Sequence, residues 1–505
     1  MKKWTISPIL FLFVFLSVFV SWGQEKSKDS GRIYDSGVEL YHQGRYDEAI
    51  PRFLELMDSF PNSKLVPYSQ LMIAKSHAAM KRYEEALRQF EVYLKTYPDG
   101  DRVREAEQGI QISKEGLKAE KGKEVILSSP AAGVKRRICA QVVYFDCKNF
   151  GEVEKKVRQL KSAGVNTLIV RVFHNKGDRP DKFARPLREE GVYFKTEYAP
   201  VVDDLLGKLA EIVHRNGLDI FAWMTTRYAN YGLEGNPEYR CKSYNFGTQK
   251  MELARGFNLF HPEVVKRLEG LFRDLGRYPI DGILFQDDLI LKHNEDFGSD
   301  ANKAFLQEFG YSPHPDLFYI DPYKSDSGKY YVKAYTERFW SWANWKNRWL
   351  MNLAKRLMKA ARESNPGLQF GINLYYEAVL NHANAAGWFS QTLSEALETD
   401  FDYYAIMAYH RQTIKELNME EGKAIDLMAD VAEKAIRTVG NPAKVLMKVQ
   451  ILDWKGYEVI PKREVEQILT KILERGDVSL AFVPYIDQFP LSSLKGKWTV
   501  PKSSE

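Results

Sequence analysis

The chain has 505 residues, with 72 Lys and Arg against 67 Asp and Glu and a formal net charge of +5. That length suits two or three domains of roughly 100–200 residues each, and 44% apolar with 28% charged residues excludes wholesale disorder and fibrous architectures. A balance this close to neutral argues against a nucleic-acid binder, and three cysteines (Cys139, Cys147, Cys241) are too few for a disulfide framework.

The chain opens on Met1-Lys2-Lys3, an apolar run from Pro8 to Val20 and the small-residue site Ser21-Trp22-Gly23. That pattern predicts a signal peptide over 1–23, cleaved after Gly23, because the run is shorter than the roughly 20 residues that span a bilayer. No cysteine follows it, which argues against a lipoprotein. The mature protein is expected in the periplasm or outside the cell.

Residues 30–118 contain an internal repeat. Arg45-Tyr46-Asp47-Glu48-Ala49 recurs as Arg82-Tyr83-Glu84-Glu85-Ala86, and the same shift of 37 carries Phe53 onto Phe90 and Pro61 onto Pro98. Each unit reads as two helices closed by a proline, with a capping helix near 102–118. The pattern resembles the tetratricopeptide repeat, in which small and aromatic residues let helix pairs stack. Such a small array is expected to dock on a protein or polymer. Residues 119–136 mix charge, Ser, Pro and Gly and read as a linker.

From 137 to 495 short apolar runs alternate with amphipathic helices. Strands are predicted at 138–145, 167–173, 219–225, 281–286, 369–374, 403–408, 444–451 and 479–485. Helices are predicted near 151–163, 203–216, 262–276, 331–364, 390–398, 420–438 and 461–475. Eight strands with helical crossovers predict an α/β fold, a (β/α)8 TIM-like barrel behind the all-α repeats. No helix is evident after the eighth strand, so imperfect closure is expected. Trp340, Trp342, Trp345 and Trp349 fall on one long helix and read as core.

In such a barrel the chemistry lies where strands end. Those ends supply Asp146, Arg171, His174, Trp223, Asp287, Asp288, Tyr375, Tyr376, His410, Asp453, Trp454 and Asp487. The sharpest element is the fourth strand, Asp281-Gly282-Ile283-Leu284-Phe285-Gln286-Asp287-Asp288. Two carboxylates at a low-dielectric mouth favour a raised pKa on one of them. Strand alternation turns the two in different directions. We expect Asp288 as general acid and Asp287 as the group that orients it or binds substrate, an order that is exchangeable. Trp223, Tyr375, Tyr376, Trp388 and Trp454 are candidate sugar platforms, and Arg171 and Asp453 candidate polar contacts. An acidic mouth would favour a cationic polymer. His174 and His410 are too isolated to suggest a metal, and neither metal nor cofactor is expected. Cys139 and Cys147 read as buried thiols, with pairing after export as the other possibility.

The fourth strand partly resembles the chitinase pattern D-G-x-D-x-D-x-E, with Leu284 and Gln286 in place of the inner aspartates. A longer match runs through Phe221-Ala222-Trp223-Met224, Asn258-Leu259-Phe260-His261-Pro262, Phe272-Arg273-Asp274-Leu275, Ile280 to Asp288, Gly387-Trp388-Phe389-Ser390-Gln391 and Asp453-Trp454. Over 138–489 the chain resembles the C-terminal hydrolase domain of poly-β-1,6-N-acetylglucosamine N-deacetylases, which trim a biofilm exopolysaccharide. The resemblance implies a glycoside hydrolase with Asp287 and Asp288 as the catalytic carboxylate motif and Trp388 and Trp454 lining a groove. It also implies a polysaccharide substrate and an exopolysaccharide secretion or outer-membrane partner for the repeats. Gln286 stands where that family commonly has His, and residues 24–136 show no metal-ligating cluster, so deacetylation is not expected. Two other readings are a non-catalytic polysaccharide-binding module and a glycosidase for another glycan.

Overall fold

The computed structural model describes residues 30–123 and 134–498, apart from 230, 233, 234, 326, 327, 329 and 455. The expected signal segment, and the expected linker over 124–133, lie outside these residues. The chain divides into two compact units, one running to residue 132 and one from 133.

Among its described residues the first unit has five helices, at 30–42, Tyr46–Ser59, Val66–Ala79, Tyr83–Thr96 and Val103–Lys123. The repeat-equivalent pairs Ala49 and Ala86, and Phe53 and Phe90, are all buried. Two of the helices stop at Ser59 and Thr96, two residues before Pro61 and Pro98, because a residue preceding proline is disfavoured in the helical region. The Phe90 ring lies where a side chain on Gly109 would begin, 2.2 Å from an ideal Cβ, so glycine there lets the fifth helix close on the fourth. That fifth helix runs five residues beyond its expected end.

The second unit is built on eight strands: β1 Ile138–Val142, β2 Thr167–Arg171, β3 Asp219–Met224, β4 Gly282–Phe285, β5 Gln369–Tyr375, β6 Tyr403–Ala408, β7 Val445–Gln450 and β8 Ser479–Val483. They form one closed parallel barrel in chain order. Closure is direct, with Ile138 opposite Leu480, although only a short 3-10 turn (Leu491–Leu494) follows β8 among the described residues. The expectation of imperfect closure is thereby corrected: hydrogen bonds between β8 and β1 close the ring without a final helix.

Helices Phe150–Ser162, Leu206–Arg215, Pro262–Leu275, Glu337–Arg362, Glu421–Val439 and Lys462–Leu473 link the strands. The long fourth helix starts later than the periodicity predicts. Residues Tyr330–Tyr335 pair instead with Tyr319–Lys324 in a hairpin, as aromatic and β-branched residues favour, and Thr336 caps the helix by accepting from the Phe339 N–H at 3.3 Å. A second hairpin joins Arg240–Asn245 to Lys250–Phe257. Trp342 and Trp345 are buried core residues, as expected.

Inside the barrel, Cys139, Ile169, Phe221, Leu284, Tyr403, Ala405, Leu446 and Ala481 form an apolar cluster. The Phe221 ring lies 2.5 Å from where a Cβ on Gly282 would stand. At the N-terminal ends of the strands Arg137 closes this core. It donates to Tyr403 Oη (2.9 Å) and Thr167 Oγ1 (3.0 Å), and contacts Asp219 and Gln369. Cys139, Cys147 and Cys241 are free and buried. Among the described residues no helix is long and apolar enough to cross a membrane.

Candidate active site

Side chains alternate along a strand, so the next inward position on each strand lies two residues further on. On those positions the barrel interior turns polar: Gln141, Arg171, Trp223, Gln286, Asn373 and Lys448. Above them opens a cavity of about 480 Å³, lined by Gln141, Trp223, Gln286, Asp287, Lys448 and Trp454 with Tyr144, Tyr409, Tyr457 and Tyr485. Gln141 Oε1, Gln286 Oε1 and Trp223 Nε1 are buried without a hydrogen-bond partner in the protein. Buried polar atoms are rarely left so, and these three suit the hydroxyl and amide groups of a sugar.

The two aspartates after β4 diverge. Asp288 is 1% exposed and accepts from five donors: Thr225 Oγ1 (2.5 Å), Thr226 N–H (3.0 Å), Thr226 Oγ1 (2.9 Å), Arg227 N–H (2.8 Å) and Tyr228 N–H (2.7 Å). Its oxygens are spent on folding the turn after β3, and it does not line the cavity. The expected acid role for Asp288 is corrected accordingly: its oxygens are engaged by protein donors and turned from the cavity, so of the exchangeable pair it is Asp287 that stands where a substrate could meet it. Arg227 ties the same turn to the loop after β4, donating to Glu295 (2.7 Å) and to the Ile290 carbonyl (2.8 Å).

Asp287 faces the cavity. Burial pushes its carboxyl above the ordinary range, with the Lys448 ammonium pulling the other way and Asp288 adding to the rise. Lys448 is 2% exposed and donates to Asn373 Oδ1 at 2.8 Å. Burial pushes it down to about 8 against the pull of Asp287. The mouth is therefore not the acidic one expected: one carboxylate is sealed away, the other is driven toward its neutral form, and an ammonium stands in the same cavity.

Trp223 and Trp454, two of the expected platforms, line the cavity, Trp454 edge-on to Tyr409 at 5.5 Å. Tyr375 is stacked on Phe389 at 4.1 Å and Tyr376 packs against the core, so neither reaches the lining. Trp388 is 43% exposed, edge-on to Phe389 and away from the cavity lining. Arg171 is engaged by Asp178 (3.0 Å) and the Arg179 carbonyl (2.8 Å), and Asp453 by Lys415 (2.8 Å). These two therefore meet protein partners rather than the cavity. Asp146 pairs with Arg179 and Lys182, and Asp487 with Lys156. His174 and His410 are buried on Tyr193 and Glu464. Among the described residues no group of three or more His, Cys, Asp or Glu is placed to hold a metal.

Asn373 stands at a strand end in the sequence, whereas Gln141 and Lys448 lie outside the pattern of strand ends. Lys448 carried the strongest available signal, a lone charge in the apolar strand Val445-Leu446-Met447-Lys448-Val449-Gln450, every residue of which is buried.

A closed parallel barrel with a half-buried carboxyl and aromatic walls at its C-terminal mouth is an architecture that glycosidase-type enzymes use, among others. The chain belongs to the family described as hypothetical glycosyl hydrolase family 13 (GHL13), whose profile matches residues 149–483. A profile for the outer membrane lipoprotein YfiO matches residues 26–107. The chain is 26% identical over 272 residues to the poly-β-1,6-N-acetyl-D-glucosamine N-deacetylase of Escherichia coli K12, a match spanning 51% of this chain and 35% of that one. It thus spans about a third of the length of that relative. The PgaB (BpsB) glycoside hydrolase domain from Bordetella bronchiseptica shares the fold at a TM-score of 0.57 and 18% identity, covering 73% of this chain and 100% of that domain.

Proposed function

We propose that this protein is an exported glycoside hydrolase that cleaves a partly deacetylated poly-β-1,6-N-acetylglucosamine-type exopolysaccharide, with Asp287 as general acid. The observation that carries this reading is the Asp287 carboxyl, half-buried just past the end of β4 in a cavity walled by Trp223, Trp454 and Tyr409. Family membership supports the reaction class, and the name of the Escherichia coli relative supports the polymer. Asp287 gives its proton to the glycosidic oxygen while the electrons of the breaking C–O bond pass to that oxygen. Among the described residues lining the cavity Asp287 is the one carboxyl group. The second role then falls to the substrate's own N-acetyl oxygen, as in substrate-assisted glycosidases. The helical repeats would dock an exopolysaccharide secretion or outer-membrane protein.

The same single carboxyl favours a second reading, a polysaccharide-binding module without turnover. Mass spectrometry of products from partly deacetylated poly-β-1,6-N-acetylglucosamine treated with the full chain separates the two. Hydrolysis predicts released oligosaccharides and a loss of about 100-fold or more in Asp287→Asn. Undiminished release by that variant would remove Asp287 from the acid role. Binding without products would select the module, and release from a different glycan alone would replace the substrate.

A further inference from the structure

We propose that Lys448, fixed by Asn373, is a positioning residue that acts through Asp287 and stabilises the carboxylate left when that side chain gives its proton to the departing sugar oxygen. This rests on the reading of Asp287 as the acid. A lysine in the middle of an apolar strand is costly to bury, and its neighbours Met447 and Val449 are fully buried. Among the described residues its one hydrogen bond is to a neutral amide. Asn373 donates Nδ2 to the Phe285 carbonyl (2.8 Å), and its own carbonyl accepts from Gln391 (2.9 Å), so its side-chain oxygen is left for Lys448. The amide thereby fixes the ammonium relative to Phe285, two residues before Asp287. Among the described residues no carboxylate stands within ion-pairing distance, 4.0 Å, of that ammonium.

Of the groups that act electrostatically on Asp287, Lys448 from β7 and Tyr409 after β6 share its cavity, while Asp288 from its own segment and Tyr375 at the end of β5 lie outside the lining. Tyr144 and Tyr485 line the same cavity after β1 and β8. Lys448 is the cation of this set, since Arg171 on β2 is engaged by Asp178. While Asp287 is protonated the ammonium meets a neutral acid. Once the proton has moved to the glycosidic oxygen, with the C–O electron pair, the ammonium faces a full negative charge in a low-dielectric cavity. The attraction is thus greater in the transition state than in the ground state, which is the condition for catalysis.

The test is a carbon-13 titration of the Asp287 carboxyl in the full chain labelled at aspartate, its signal identified by loss in Asp287→Asn. It is run on wild type, Lys448→Met and Lys448→Arg beside pH profiles of product release. In Lys448→Met the Asp287 titration and the basic limb of kcat/KM move alkaline by about one pH unit, and plateau kcat/KM falls about tenfold. Lys448→Arg restores the titration toward wild type. An unmoved titration and limb in folded Lys448→Met would overturn the inference. Should Lys448→Met fail to fold, Asn373→Ala, which frees the ammonium, must shift the titration the same way or the inference falls. A shifted titration in a protein that releases no product supports the Lys448–Asp287 coupling while the hydrolase reading fails.

Discussion

Past Phe285, where the β4 strand ends, the chain turns Asp287 into the cavity beside Gln286 and Asp288 toward the turn at 225–228, and neighbouring donors decide what each can do. Asp288→Ala would leave three backbone N–H groups and two hydroxyls without their acceptor. Even with partial relaxation that costs about 3–5 kcal/mol. Thermal unfolding should show a clear drop in Tm for Asp288→Ala and little change for Asp287→Asn, which replaces a carboxyl that burial already disfavours in its charged form. The sign of the pH dependence follows from the same burial. In the proposed role Asp287 works protonated, and the rise of its pKa through burial keeps that form populated above the ordinary carboxylate range. Product release should hold beyond that range and fall as pH rises through the Asp287 titration, whereas a normal carboxylate acid would already be inactive there.

The eight barrel strands were legible because a strand covered on both faces must be apolar along its whole length, and each such run ended in polar or aromatic residues. Their chain order was enough to place Asp287 and Trp223 at one mouth. What was not legible depended on contacts remote in sequence. Nothing in the pair Asp287-Asp288 tells which one meets Thr225, Thr226 and the N–H groups after β3. The platforms Tyr375 and Trp388 carry the right ring chemistry, yet Phe389 packs against both. Lys448 does not belong to the pattern of polar strand ends, since it sits within β7. Arg137 is a comparable case at the opposite end of the barrel, a charged residue before β1 whose partners lie on β2, β3, β5 and β6. Arg137→Met strands Asp219 with a weaker partner set and removes the link among four strands. It should lower stability by roughly 3–5 kcal/mol, read as an earlier denaturation midpoint, with product release intact below that midpoint.

At the scale of the whole chain each unit closes its own core. The helical unit packs Phe90, Tyr93, Ala86 and Leu71 in one cluster and Phe53, Ala49, Met72 and Ile73 in another, while the barrel has separate outer and inner clusters. The cavity is lined wholly by residues of the barrel unit. The proposed chemistry and the proposed docking thus fall on different cores, which makes that division testable with one substitution. Phe90→Ala removes a fully buried ring and should cost the helical unit about 3–5 kcal/mol. Scanning calorimetry of the full chain should then show a transition belonging to the helical unit move down while the barrel transition stays in place. Release of oligosaccharides should be unchanged, and capture of a secretion or outer-membrane partner should weaken. A loss of release matching the loss of helical stability would mean that the repeats take part in the chemistry, and the division of labour between the two units would have to be redrawn.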